Sequence, residues 1–132
     1  MINTLKHQYL AIAWAVFTLI ICDMHMDGGI RQVRFFEGFD KLVHTGVFFT
    51  FSVLLFYGKI TQQKSYSYRI VTILKIFALS TILGGSIELL QWKVFTWRSA
   101  DWWDLFCDIL GTCMAIFSYI FLHRVRFNGK VV

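Results

Sequence analysis

Four apolar segments, separated by short polar stretches, run along the chain. They lie at about residues 9–22, 42–57, 70–90 and 102–122. Lipid offers no hydrogen-bond partners to backbone amides and carbonyls, so an apolar segment that enters it must be helical. The last two segments are close to the roughly 20 residues that cross ~30 Å of hydrocarbon. Short connections make consecutive helices antiparallel neighbours. The pattern predicts an all-α membrane protein, a bundle of four transmembrane helices in a single domain over residues 1–132.

Composition and the distribution of basic residues predict where the protein is located and how it is oriented in the membrane. Of the 132 residues, 57% are hydrophobic and 16% are charged, and the basic residues are scattered around the apolar segments. We therefore expect no nucleic-acid partner, despite a net charge of +5. Four spans place both termini and the 58–69 connection on one side. That side has eight Lys and Arg residues, counting Lys75, which can snorkel to the near interface, against five on the other. This imbalance predicts a multi-pass protein of the bacterial plasma membrane with both termini in the cytoplasm.

The acidic residues are distributed far more unevenly than the basic ones. All eight fall on the side opposite the termini: Asp23, Asp27, Glu37, Asp40, Glu88, Asp101, Asp104 and Asp108. Acidic residues contribute little to the orientation of a membrane protein, so insertion does not require this arrangement. A function located at that face of the membrane would explain it.

Helical spacing arranges these polar residues in three stripes. Asp101, Asp104, Asp108 and Gly111 follow steps of three, four and three, so they share one face of the fourth helix. The other two stripes are Asp40 with His44 at the start of the second helix, and Gly84, Glu88 and Gln91 at the end of the third. An ionisable group that faces acyl chains costs about 2.5–3.5 kcal/mol or more. The stripes are therefore predicted to face one another and line a polar pocket at the outer leaflet.

Three motifs of the chain resemble the signature of VanZ-like membrane proteins. They are "DKLVH" (40–44), "ELLQ" (88–91) and "RSADWWDLFCDILG" (98–111). The family reads D-K-x-x-H, then E-x-x-Q, then R-x-x-x-x-x-D-x-x-x-N/D-x-x-G, and the resemblance covers roughly residues 9–122. Asp108 stands where the family often has Asn. The name-giving member is associated with resistance to the glycopeptide teicoplanin, so the resemblance implies a role in the cell envelope without supplying a mechanism.

The predicted function is binding of an anionic, lipid-linked envelope precursor, or modulation of the envelope. Lys41, Arg98 and a protonated His44 would hold a phosphate or carboxylate by charge-assisted hydrogen bonds. The full set of predicted ligand-binding residues is Asp40, Lys41, His44, Glu88, Gln91, Arg98, Asp101, Asp104 and Asp108. The expected partners are membrane lipids, including a polyprenyl-phosphate-linked or other anionic lipid; a homo-oligomer is left open.

Two other functions fit the same residues. A membrane-embedded phosphoester hydrolase or transferase would use His44 and Asp104 for proton transfer, with Arg98 stabilising developing charge. A structural lock would join the helices through ion pairs and hydrogen bonds and bind no ligand. A metal-dependent form of this enzyme is left open, since His44, Glu88, Asp104 and Asp108 offer hard ligands inside a four-helix bundle. The chain lacks the paired E-x-x-H motifs of a di-iron bundle and has no H-E-x-x-H, so we predict no metal and no cofactor. Gly84, Gly85 and Gly111 are predicted to permit close helix packing.

Overall fold

The computed structural model describes residues 2–23, 38–63, 70–94 and 101–128. These residues form five helices and contain no strand, which confirms the all-α prediction. The helices are α1 (Ile2–His7), α2 (Tyr9–Asp23), α3 (Phe39–Gln63), α4 (Ile70–Lys93) and α5 (Trp102–Asn128). Each predicted apolar segment is helical in the structure. The helix α3 is longer than the predicted segment 42–57 and extends beyond it at both ends. Polar residues at those ends continue the backbone hydrogen bonding beyond the apolar stretch.

Three of these helices are long and apolar enough to cross a membrane. They are α3, α4 and the part of α5 over Trp102–Leu122. The chain is therefore a membrane protein. The apolar part of α2, Tyr9–Cys22, falls into the shorter class. At 1.5 Å per residue the 15 residues of α2 reach about 22 Å, less than the ~30 Å of hydrocarbon. A fourth span therefore stays a prediction.

The helix α4 runs antiparallel to both α3 and α5, so α3 and α5 run in the same direction. Lys41 and Asp101, both at the beginning of their helices, are in contact at one end of the bundle. Phe56 of α3 and Tyr119 of α5 stack near the other end with ring centroids 4.1 Å apart. The backbone amide of Asp101 bonds to Glu88 near the end of α4, so α4 runs the opposite way.

A glycine sets the close contact between α3 and α5. A Cβ atom on Gly111 would collide with the backbone carbonyl of Thr45 and lie 3.0 Å from the amide nitrogen of Phe49. Gly84 has a similar function between α4 and α5, as described below. The prediction for Gly85 is wrong, because nothing lies within 4 Å of a Cβ placed there. The turn of α4 that carries both glycines presents only Gly84 to its neighbour.

The interior of the bundle changes character along its length. Towards the end where Phe56 stacks on Tyr119, the core is apolar: Ala11, Phe51, Leu55, Phe56, Ile76 and Tyr119. Near the middle, the Ser52 hydroxyl lies 3.1 Å from that of Ser80 and 3.3 Å from that of Thr112, and all three residues are buried. Large apolar side chains instead cover the outer surface, as a lipid-facing surface requires.

Candidate functional site

The three predicted polar stripes meet at one end of the bundle. The beginning of α3, the end of α4 and the beginning of α5 bring together seven ionisable residues, here called the polar cluster: Asp40, Lys41, His44, Glu88, Asp101, Asp104 and Asp108. They are the members of the predicted ligand-binding set that the structure brings together. Their role in binding stays a prediction.

Lys41 forms the outer part of the polar cluster. Its Nζ donates to Asp101 Oδ2 at 3.0 Å and to Asp104 Oδ1 at 3.4 Å. The side chains of Lys41 and Asp101 are 40% and 42% exposed, whereas that of Asp104 is 5% exposed. The ammonium group therefore connects an accessible carboxylate with a buried one.

Asp101 fixes the beginning of α5. Its Oδ1 accepts a hydrogen bond from the amide of Trp103 at 3.0 Å, which is the geometry of a helix N-cap. Its own amide donates to Glu88 Oε2 at 3.0 Å and so joins α5 to α4. The Trp103 amide and, after it, the Lys41 ammonium stabilise the carboxylate and lower the pKa of Asp101 below its ordinary value.

His44 lies in the buried part of the polar cluster, with a side chain only 2% exposed. Its Nδ1 lies 2.9 Å from Asp108 Oδ1, and its Nε2 lies 3.8 Å from Asp104 Oδ2. An ionised carboxylate only accepts hydrogen bonds, so with Asp108 ionised the Nδ1 atom carries the proton. When the ring is neutral, Nε2 is therefore unprotonated, and its lone pair faces the side of the ring on which Asp104 lies.

Two carboxylate oxygens of the polar cluster are buried and have no hydrogen-bond partner among the described residues. They are Glu88 Oε1 and Asp108 Oδ2. Asp108 Oδ2 would lie 2.7 Å from a Cβ on Gly84, so the absent side chain at that position makes room for it. A buried polar atom without a partner costs about 1–3 kcal/mol, and each such atom calls for a physical explanation.

The polar cluster is rich in acid. Five of its seven residues carry carboxyl groups, whereas only Lys41 and His44 are basic. With all carboxyl groups ionised, the negative charges outnumber the positive ones even when His44 is protonated. Arg98, predicted to supply a further positive charge, lies outside the described residues. Two of the eight acidic residues predicted for this face, Asp27 and Glu37, also lie outside them.

Gln91 is the predicted site residue that is bonded elsewhere. Its Nε2 donates to the backbone carbonyl of Cys22 at 3.2 Å, so the side chain joins α4 to α2. Thr112 is a neighbour of the polar cluster that none of the motifs contains. Its hydroxyl donates to the carbonyl of Asp108 at 3.0 Å and accepts from the buried hydroxyl of Ser52. Its position four residues after Asp108 was the available signal.

Comparison of the chain with models of protein families, with curated proteins and with solved structures gives no match. The likeness to VanZ-like proteins therefore stays a resemblance of motifs.

Proposed function

We propose that the polar cluster binds the headgroup of an anionic, lipid-linked molecule at the outer face of a bacterial plasma membrane. The observation that carries this proposal is the position of Lys41, which is half-exposed at the rim while two carboxylates fix its direction. A lysine ammonium has three donors. Two are directed to Asp101 and Asp104. Within the described residues the third has no partner, so it can donate to a phosphate or carboxylate.

The depth of the polar cluster in the membrane supports a headgroup rather than an acyl chain as the ligand. Trp102 and Trp103, in the first turn of α5, are 84% and 63% exposed. Tryptophan is enriched where hydrocarbon meets the headgroup region. Asp101 and Asp104 flank these two residues, so the rim of the polar cluster lies at headgroup level.

The wider setting belongs to the same proposal. A polyprenyl-phosphate-linked envelope precursor combines an anionic headgroup with a tail that stays in the lipid, which suits a site open at one membrane face. The distribution of Lys and Arg supports cytoplasmic termini as part of the proposal, and the VanZ-like motifs support a function of the teicoplanin-resistance type.

Native mass spectrometry of gently purified protein tests the proposal with two lysine variants. Lys41→Gln removes the donor at the polar cluster, and Lys59→Gln removes a lysine near the other end of α3. We expect added polyprenyl phosphate to remain on the wild type and on Lys59→Gln, and to be lost from Lys41→Gln. Equal retention by both variants would contradict the proposal. No retention by any protein, together with a lower unfolding temperature for Lys41→Gln alone, would assign the polar cluster to a structural lock.

One observation favours a second function, hydrolysis or transfer at a phosphoester. Asp108 lies 2.9 Å from Nδ1 of His44 and orients the ring, and Asp104 lies near Nε2. A histidine oriented in this way is a typical general base, and Arg98 would stabilise developing charge. Release of phosphate from a polyprenyl diphosphate by the wild type and not by Asp104→Asn would support this function. Absence of turnover in the wild type would refute it for this substrate.

A further inference from the structure

The geometry points to a binding site for a first-row divalent cation, Mn²⁺ or Zn²⁺, formed by Asp40, His44 and Asp104. This inference departs from the sequence prediction of no metal. It goes beyond the proposed headgroup site and does not depend on it, because the three ligands belong to the protein.

The distances between the three side chains suit a shared ion. One ligand atom each of Asp40, His44 and Asp104 lies within 4.8 Å of the other two. His44 Nε2 and Asp104 Oδ2 are 3.8 Å apart, which is longer than a hydrogen bond. Ligands at 2.0–2.2 Å from a tetrahedral ion lie about 3.4 Å from one another. Small side-chain movements would therefore bring the three atoms to coordination distance.

Asp108 supplies an independent observation in support of this site. A histidine that binds a metal usually donates its other ring N–H to a carboxylate, which fixes the tautomer and directs the lone pair at the ion. Asp108, with 1% of its side chain exposed, holds Nδ1 of His44 in this way. Its second oxygen is buried and has no hydrogen-bond partner among the described residues.

The two oxygens of Asp104 face different partners. Oδ1 lies 3.4 Å from Lys41 Nζ, whereas Oδ2 is the oxygen nearer to His44. A cation on the Oδ2 side would leave the lysine contact in place. It would also reduce the negative charge of a cluster in which carboxyl groups outnumber basic groups.

The donor set indicates the class of metal. Imidazole suits Zn²⁺ and its transition-metal neighbours, carboxylates also suit Mn²⁺, and Mg²⁺ and Ca²⁺ prefer oxygen ligands alone. One imidazole and two carboxylates therefore favour Mn²⁺ or Zn²⁺. Three protein ligands leave positions open for water or for an anionic oxygen.

The test is a Mn²⁺ titration of metal-stripped protein in detergent, without added lipid, followed by electron paramagnetic resonance of the free ion. Competition by Zn²⁺ gives its affinity. We expect one site in the wild type. Asp40→Asn and Asp104→Asn each remove a carboxylate ligand. Each should weaken Mn²⁺ binding by more than the ~10–100-fold that is typical for loss of a residue that hydrogen-bonds to a metal ligand. Asp108→Asn should fall within that range.

Two controls keep the outcome decisive. His7→Gln removes a histidine from α1, which packs against α3 far from the polar cluster, and it should bind as the wild type does. Asp40 is exposed, so Asp40→Asn leaves the buried pairs intact and separates lost coordination from lost folding. Wild-type affinity in Asp40→Asn, or equal weakening in His7→Gln, would overturn the inference. Lipid retention after chelation tests the headgroup proposal separately, so one can fail without the other.

Discussion

Replacement of Gly84 by alanine should loosen the His44–Asp108 pair without removing any of its atoms. A Cβ on Gly84 would lie 2.7 Å from Asp108 Oδ2, where ordinary contact begins at 3.4 Å. The carboxylate must therefore retreat by about 0.7 Å. Its other oxygen is 2.9 Å from His44 Nδ1, so a shift of this size along that line, in either direction, takes the two atoms out of the range of a hydrogen bond.

The expected magnitude follows from two opposing effects. A hydrogen bond to a charged group contributes about 1.5–3 kcal/mol. Alanine is a better helix former than glycine by about 1 kcal/mol, which acts in the other direction. Gly85→Ala gains the same helix propensity, and nothing lies within 4 Å of its new Cβ. The free energy of unfolding of Gly84→Ala should therefore be about 1.5–3 kcal/mol below that of Gly85→Ala.

The assay is equilibrium unfolding of both variants and the wild type in the same detergent, followed by tryptophan fluorescence. The comparison of neighbouring glycines on one helix cancels the helix propensity, so the difference reports the contact with Asp108. Equal stability of the two variants would refute the reasoning. It would mean that Asp108 turns away from the new methyl group and keeps its bond to His44.

Three further predictions concern positions around the polar cluster. Gly111→Ala places a methyl group against the backbone of α3, which cannot move aside. This variant should lower the free energy of unfolding by about 1–3 kcal/mol or more. Gly46→Ala, at an exposed position with nothing within 4 Å of the new Cβ, should not lower it. Asp101→Ala removes the N-cap of α5 and should cost about 1 kcal/mol in chemical unfolding, more than the cap-preserving Asp101→Asn. Because its folded pKa is lowered from 3.8, Asp101 adds stability above that pH and loses it as the pH falls below, so the wild-type advantage over Asp101→Asn should shrink there. Ser52→Ala removes two buried hydroxyl contacts and should lower the free energy of unfolding by about 0.6–2 kcal/mol. The exposed Ser86→Ala should change it little. Equal costs for the two variants would refute a role for the buried hydroxyls.

The positions of the helices and the grouping of the acidic residues could be predicted from the sequence alone. Asp101, Asp104 and Asp108 share a face because 3.6 residues complete a turn, a property of the helix itself that needs no partner. The cost of exposing charge to lipid then requires that face to point inwards. The same cost predicts that His44 and Glu88 face the aspartates, and the structure brings all of them to one end of the bundle.

Tertiary structure alone decided which groups pair. Periodicity gives the faces of each helix but neither the distance between helices nor their relative rotation, which follow from close packing. The approach of α5 to α3 at Gly111 places His44 beside Asp108, and Lys41 between Asp101 and Asp104. The rotation of α4 directs Gly84 at Asp108 while Gly85 faces open space, and it gives Gln91 a partner on α2. Such rotations depend on contacts between residues far apart in sequence, so a local pattern does not contain them.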